Sequence, residues 1–172
     1  LCTAVLYKKY NSQINTFQQK GSYVFHEGDV IGMDSMPFTV ECTKSALGTK
    51  LYWSFALEGE KSISVFVEKS FQQARNLYKY LNEHPDFYCP YVPESNILCF
   101  QFRPDILSNK QQLELRYKLI ETGDFYITSC EVQGKRYLRT VLMNPLSQKK
   151  EYKALVDKIK EIADKIIKDT QK

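Results

Sequence analysis

Arg139 lies in Tyr137-Leu138-Arg139-Thr140-Val141-Leu142-Met143, a run of β-forming residues stopped by Asn144-Pro145. Strand alternation puts it on one face with Tyr137, Val141 and Met143. A guanidinium there must meet an anion or reach water, because a buried unpaired charge is very costly. Two readings follow. One is a structural ion pair or a snorkelling side chain. The other is a clamp for a carboxylate, whose two oxygens match the planar fork of arginine. A second residue of interest is Tyr23. It falls in Ser22-Tyr23-Val24-Phe25-His26, more aromatic than a linker requires, inside a polar stretch from Lys8 to Asp34 punctuated by Gly21, Gly28 and Gly32. Loops of this length inside a compact protein are functional or disordered.

Other chemistries find little support. The two histidines, His26 and His84, have no Cys or Asp in nucleophile-like spacing. The five cysteines, Cys2, Cys42, Cys89, Cys99 and Cys130, form no zinc spacing and no C-x-x-C. Cys99 and Cys130 fall in apolar strand patterns, so reduced, mostly buried thiols in a cytoplasmic protein are expected. A Gly-rich phosphate loop, H-E-x-x-H and G-x-S-x-G are all absent from the sequence.

The elements that must position Arg139 can be read from periodicity. Leu47, Leu51 and Phe55 repeat every four residues, which predicts a helix over about 44–57 ended by Gly59. Val67, Phe71, Ala74, Leu77, Tyr78 and Leu81 mark a second helix that Pro85 stops. Strand Ile97–Phe102 follows, then a helix over about 109–121 ended by Gly123. Strands over about 125–130 and 137–143 are joined through Gln133-Gly134-Lys135 as a hairpin. The final helix, about 148–169, carries the clearest stripe: Tyr152, Leu155, Val156, Ile159, Ile162, Ala163, Ile166 and Ile167. Strand, helix, strand, strand, helix makes an antiparallel-containing sheet with helices on one face, an α+β unit. The opening run Leu1-Cys2-Thr3-Ala4-Val5-Leu6-Tyr7 reads as a buried strand of a different layer. The chain therefore reads as a C-terminal fragment or processed chain. Residues 1–60 would end one domain and 61–172 form a second.

Composition sets the outer limits. The 172 residues are 43% hydrophobic and 26% charged, the balance of a globular protein with a core of its own. A net charge of +4 from 24 basic and 20 acidic residues is mild. The lysines of the last helix are interleaved with Glu151, Asp157, Glu161, Asp164 and Asp169, which makes a solvated face and not a nucleic-acid patch. No apolar run approaches a membrane span, and no signal peptide is visible.

In order, five pieces of the chain resemble one family. Leu1-Cys2-Thr3-Ala4-Val5-Leu6-Tyr7-Lys8-Lys9 resembles the strand after the cofactor lysine in pyridoxal-phosphate-dependent amino-acid decarboxylases. These act on glutamate, aromatic amino acids, cysteine sulfinate or diaminobutyrate. Gly21-Ser22-Tyr23-Val24-Phe25 is similar to the family's mobile loop. Glu41-Cys42-Thr43-Lys44, ahead of Lys50-Leu51-Tyr52-Trp53, is similar to its Gln-Cys-Gly-Arg before Leu-Lys-x-Trp. Asn96-Ile97-Leu98-Cys99-Phe100 matches its Asn-x-x-Cys-Phe strand. Leu138-Arg139-Thr140-Val141-Leu142-Met143-Asn144-Pro145 matches the Phe-Arg-Met-Val-Ile-x-Asn-Pro strand of glutamate decarboxylases.

The resemblance covers nearly the whole chain and implies an α/β enzyme of fold type I with an α+β C-terminal domain, of which this is the C-terminal fragment. It implies pyridoxal 5'-phosphate as cofactor, with the Schiff-base lysine upstream of Leu1. It also implies an L-amino-acid substrate and a homodimer in which loops cross into the partner's site. Arg139 would hold the substrate α-carboxylate, Tyr23 would protonate Cα after loop closure, and Thr43 would lend its backbone to the cofactor phosphate of the neighbouring subunit. Lys44 and Thr43 stand where the family has Arg and Gly, which changes the geometry of any anion contact at that turn. Two other readings are an inactive or regulatory homologue of the same fold and a small RNA-binding α+β module. Gly134-Lys135-Arg136-Tyr137-Leu138 does not fit the RNP motif that the second requires.

Overall fold

The computed structural model describes residues 5–9, 11–18 and 45–170. Two compact units emerge, Leu1–Glu60 and Lys61–Lys172. In the first, α1 (Asn11–Phe17) is a short helix where the sequence reads as polar loop. It buries nothing, and a local bond from the Thr16 hydroxyl to the Ser12 carbonyl, 2.7 Å, supports it. Val5, Leu6 and Tyr7 lie in no strand; Leu1–Ala4 of the expected opening strand fall outside the described residues.

The long helical stretch α2 (Leu47–Asn82) is interrupted at Gly59, whose φ of 75° and ψ of 162° only glycine adopts cheaply. The break stands where the sequence predicted a stop. Residues before it carry exposed Leu51, Trp53 and Phe55. Residues after it, from Lys61, belong to the second unit and bury Ser70, Gln73, Ala74, Leu77 and Leu81.

The second unit is a four-stranded antiparallel sheet in the order β1-β2-β4-β3. Its strands are β1 (Phe87–Tyr88) and β2 (Ile97–Phe102), followed by α3 (Asn109–Glu121), then β3 (Thr128–Val132) and β4 (Lys135–Val141), with α4 (Lys149–Thr170) last. The two-residue edge strand β1 carried no period for the sequence to show. The hairpin between β3 and β4 turns on Gln133 and Gly134, with φ of 51° and 73°. That double positive φ is the type I′ geometry whose twist suits adjoining strands.

One face of this sheet is the core. Leu98, Phe100 and Phe102 from β2 and Leu138 from β4 point into it. Leu115 and Leu119 of α3, Val156, Ile159 and Ile166 of α4, and Leu77 and Leu81 of α2 cover them. A buried amide closes the end of β2. Gln112 Nε2 donates to the Phe102 carbonyl at 2.7 Å, and its Oε1 accepts from the Phe102 amide at 3.4 Å. Both backbone groups would otherwise be buried without a partner, at about 1–3 kcal/mol each. At the start of α3, Ser108 and Gln111 form a reciprocal capping box.

Arg103 ties the sheet edge to α4. Its Nε reaches Asp86 at 2.7 Å, its Nη1 reaches Asp164 at 3.2 Å, and its guanidinium lies over the Phe102 ring. The hydrogen bond from Arg103 holds the Asp86 carboxyl below its ordinary 3.8, with Lys160 adding to the effect. A carboxyl lowered by folding contributes stability that is full above the unfolded value and lost as pH falls through the folded one. Asp86→Asn is therefore expected to cost about 1 kcal/mol at pH 7, and the gap from wild type should narrow below about pH 4. Urea unfolding at pH 7 and pH 3 reads this directly. An equal gap at both would show that the charge plays no part.

Candidate functional site

The other face of the sheet holds Arg139, and the strand register sets its neighbours. Arg139 is paired with Cys99 on β2 and with Thr128 on β3. Directly opposed residues of an antiparallel pair emerge on the same side, so Cys99, Arg139 and Thr128 form one row. The adjacent row holds Gln101 and, opposed to each other, Tyr137 and Cys130. The alternate positions Leu138, Phe100 and Leu98 are fully in the core, so this face cannot trade places with the other.

Arg139 is half-buried. Its Nη1 donates to the Thr128 hydroxyl at 3.4 Å, a long bond, while that hydroxyl donates to the Arg139 carbonyl at 3.3 Å. The ion pairs among the described residues do not include it. Three arginines of the unit do have partners: Arg103 has Asp86, Arg136 has Glu131 at 2.8 Å, and Arg116 bonds the Ile127 carbonyl and lies over Tyr117. The structural ion pair offered by the sequence thus has no partner among the described residues. What remains is a fixed cation, partly shielded from water, on a walled face.

The surroundings do not neutralise that charge. Burial pushes the Cys99 thiol up to about 11, the neighbouring Cys130 adds to the rise, and the Arg139 charge opposes it. Tyr137 is 3% exposed, and its hydroxyl is raised by burial and then by Tyr91. The Cys99 thiol and the Tyr137 hydroxyl on this face are thus both held toward their neutral forms. Such a site can take a carboxylate through two charge-assisted hydrogen bonds and fix its plane.

His84 is no part of this site. Its ring meets Tyr80 edge-on, centroids 4.9 Å apart, and lies 6.2 Å from Phe87. This is a packing role at the corner of α2 and β1. No group of three His, Cys, Asp or Glu among the described residues could hold a metal. Among them, too, no helix is long and apolar enough to cross a membrane. Tyr23 and Thr43, the other expected site residues, lie outside the described residues, as do His26 and Lys44.

Thr128 and Cys130 were not singled out beside Arg139, yet a signal was present. With Gln133-Gly134 as a two-residue turn, counting outward opposes Cys130 to Tyr137 and Thr128 to Arg139. Cys99 is a different case, since its pairing with Arg139 spans a helix and a hairpin.

No protein-family model matches the chain. Solved structures do. Mouse CSAD in its apo form is 16% identical, with a TM-score of 0.70 over 90% of this chain and 34% of that one. Catharanthus roseus tryptophan decarboxylase, solved in complex with L-tryptophan, is 18% identical, with a TM-score of 0.65 over 77% and 29%. Oryza sativa TDC, with PLP and tryptamine bound, is 17% identical, with a TM-score of 0.63 over 74% and 29%. The structural neighbours are pyridoxal-phosphate-dependent amino-acid decarboxylases, and the chain has the fold of part of such a fold-type-I enzyme. It spans roughly a third or less of each neighbour's length.

Proposed function

We propose that this chain is the C-terminal portion of a pyridoxal-phosphate-dependent L-amino-acid α-decarboxylase. The observation that carries the reading is Arg139: a half-buried guanidinium on the sheet face opposite the core, with no carboxylate partner among the described residues. That donor set fits the α-carboxylate of an amino acid. The lysine that holds the cofactor would come from upstream of Leu1. The neighbours solved with L-tryptophan, or with PLP and tryptamine, bind ligands of the same classes.

Bound pyridoxal phosphate would supply the electron sink for the bond that breaks at Cα. The chain's own residues would do the rest. Arg139 would grip the carboxylate and so orient the bond to be broken. Tyr23, carried by a loop with Gly21 on one side and Gly28 and Gly32 on the other, would close over the site, exclude water and deliver a proton to Cα. Thr43 would lend its backbone to the cofactor phosphate of the neighbouring subunit. Residues 1–60 would end the large domain and 61–172 form the small one, in a cytoplasmic homodimer. The three free thiols among the described cysteines, Cys89, Cys99 and Cys130, support a reducing compartment.

The test is carbon dioxide release from a panel of L-amino acids, with and without pyridoxal phosphate. It should be run on the chain alone and on the chain joined to its upstream segment. The joined protein should release carbon dioxide from at least one amino acid only when the cofactor is present, and the chain alone from none. Release by the chain alone would overturn this placement, and a cofactor-loaded joined protein inert on every amino acid would overturn the activity.

A further inference from the structure

On the sheet face that carries Arg139, the sulfurs of Cys99 and Cys130 stand 3.5 Å apart. Their strands, β2 and β3, are not neighbours: β4 runs between them, and the two side chains meet over it. Two inter-strand spacings separate the backbones by roughly 9 Å. A disulfide requires Cα atoms within about 7 Å, so these thiols touch but cannot bond directly without backbone movement. A single centre bridging them needs no such movement. Two sulfurs on one tetrahedral zinc, with bonds of about 2.3 Å, stand roughly 3.8 Å apart. The observed 3.5 Å is already close to that bite.

The donor set decides which centre. Zinc wants four ligands, and no third His, Cys, Asp or Glu joins this pair among the described residues. A trivalent organoarsenical wants two thiols, because its own carbon fills the third position. It also does not require thiolates in advance, which suits a Cys99 thiol pushed up to about 11 by burial and by Cys130. Both cysteines are half-buried, not enclosed.

We propose that Cys99 and Cys130 form a chelating dithiol site for trivalent organoarsenicals, set directly beside Arg139. The reaction is R–As=O plus two S–H giving R–As(S)2 and water. Two As–S bonds form, the As=O bond breaks, both thiol protons leave with the oxygen, and arsenic stays trivalent. Because Cys99 is the register partner of Arg139, the adduct covers the guanidinium. The inference stands on sulfur geometry and is independent of the decarboxylase reading.

The probe is phenylarsine oxide on the full chain, followed by intact mass and peptide mapping. One arsenical per chain should survive excess 2-mercaptoethanol and leave with 2,3-dimercaptopropanol. Tryptic mapping should link the Cys130 peptide to the one carrying Cys99, with fragment ions separating Cys99 from Cys89 on that peptide. Cys99→Ser and Cys130→Ser should each weaken binding by roughly 100-fold or more, the loss expected when one anchor of a chelate goes. In the loaded chain, phenylglyoxal should modify Arg139 more slowly. A monothiol-resistant adduct in either variant, or a bridge to Cys2, Cys42 or Cys89, would overturn the site. So would ready formation of a Cys99–Cys130 disulfide with diamide. Unchanged phenylglyoxal reactivity at Arg139 would overturn its closure. The mapping on the unmodified chain decides the matter even if a variant fails to fold.

Discussion

Arg139→Lys in the complete enzyme is expected to lower kcat/KM by roughly 10–100-fold or more, the loss of about 1.5–3 kcal/mol of charge-assisted hydrogen bonding, while the chain stays folded. Lysine keeps the charge and loses the fork, so a carboxylate gripped at two points becomes one held at a point, free to turn. Little stability should go with it. The side chain's bond to the Thr128 hydroxyl is long, 3.4 Å, and the core lies on the opposite face of β4. Steady-state kinetics beside a urea melt separates the two roles. If the variant unfolds while its folded fraction keeps wild-type kinetics, Arg139 is a structural cation and the clamp is wrong.

The strand that carries Arg139 was legible because its period is local: Tyr137, Arg139 and Val141 alternate with Leu138 and Thr140, and the structure buries Leu138 completely. The same holds for α4, whose stripe from Tyr152 to Ile166 is the buried face. The break at Gly59 and the turn at Gln133-Gly134 were legible because positive φ leaves a residue signature. Other features left no such mark. The strand over 125–130 begins at Thr128 and runs to Val132, because the pairing with β4 and not the apolar run sets its ends. β1 is two residues long and exists through its pairing with Gln101 and Phe102. The contact of Cys99 with Cys130 needed the long-range β2–β4 register, which depends on how α3 returns the chain to the sheet. Tyr23 and Thr43 rest on the order and spacing of sequence pieces alone.

For Tyr23→Phe in the complete enzyme, amine output is expected to fall at least tenfold further than substrate consumption, since a positioned general acid contributes about 10²–10⁴-fold to its step. The substitution keeps the aromatic ring and removes only the hydroxyl. Substrate should still bind and lose carbon dioxide, because Arg139 on β4 is untouched. What fails is delivery of the proton to Cα. Carbon left waiting there becomes open to dioxygen from solution, which diverts the product from amine to a carbonyl compound with release of ammonia and hydrogen peroxide. On the proposed reading, a donor flanked in sequence by Gly21, Gly28 and Gly32 would leave to admit substrate and return to act. Amine, carbonyl product and peroxide measured side by side, against substrate consumed, give the partition directly. Arg139→Lys should slow all of these together, whereas Tyr23→Phe should change their ratio, so the two variants distinguish a binding role from a proton-delivery role. Equal amine output and substrate loss near wild-type rates in Tyr23→Phe would reduce Tyr23 to a packing aromatic.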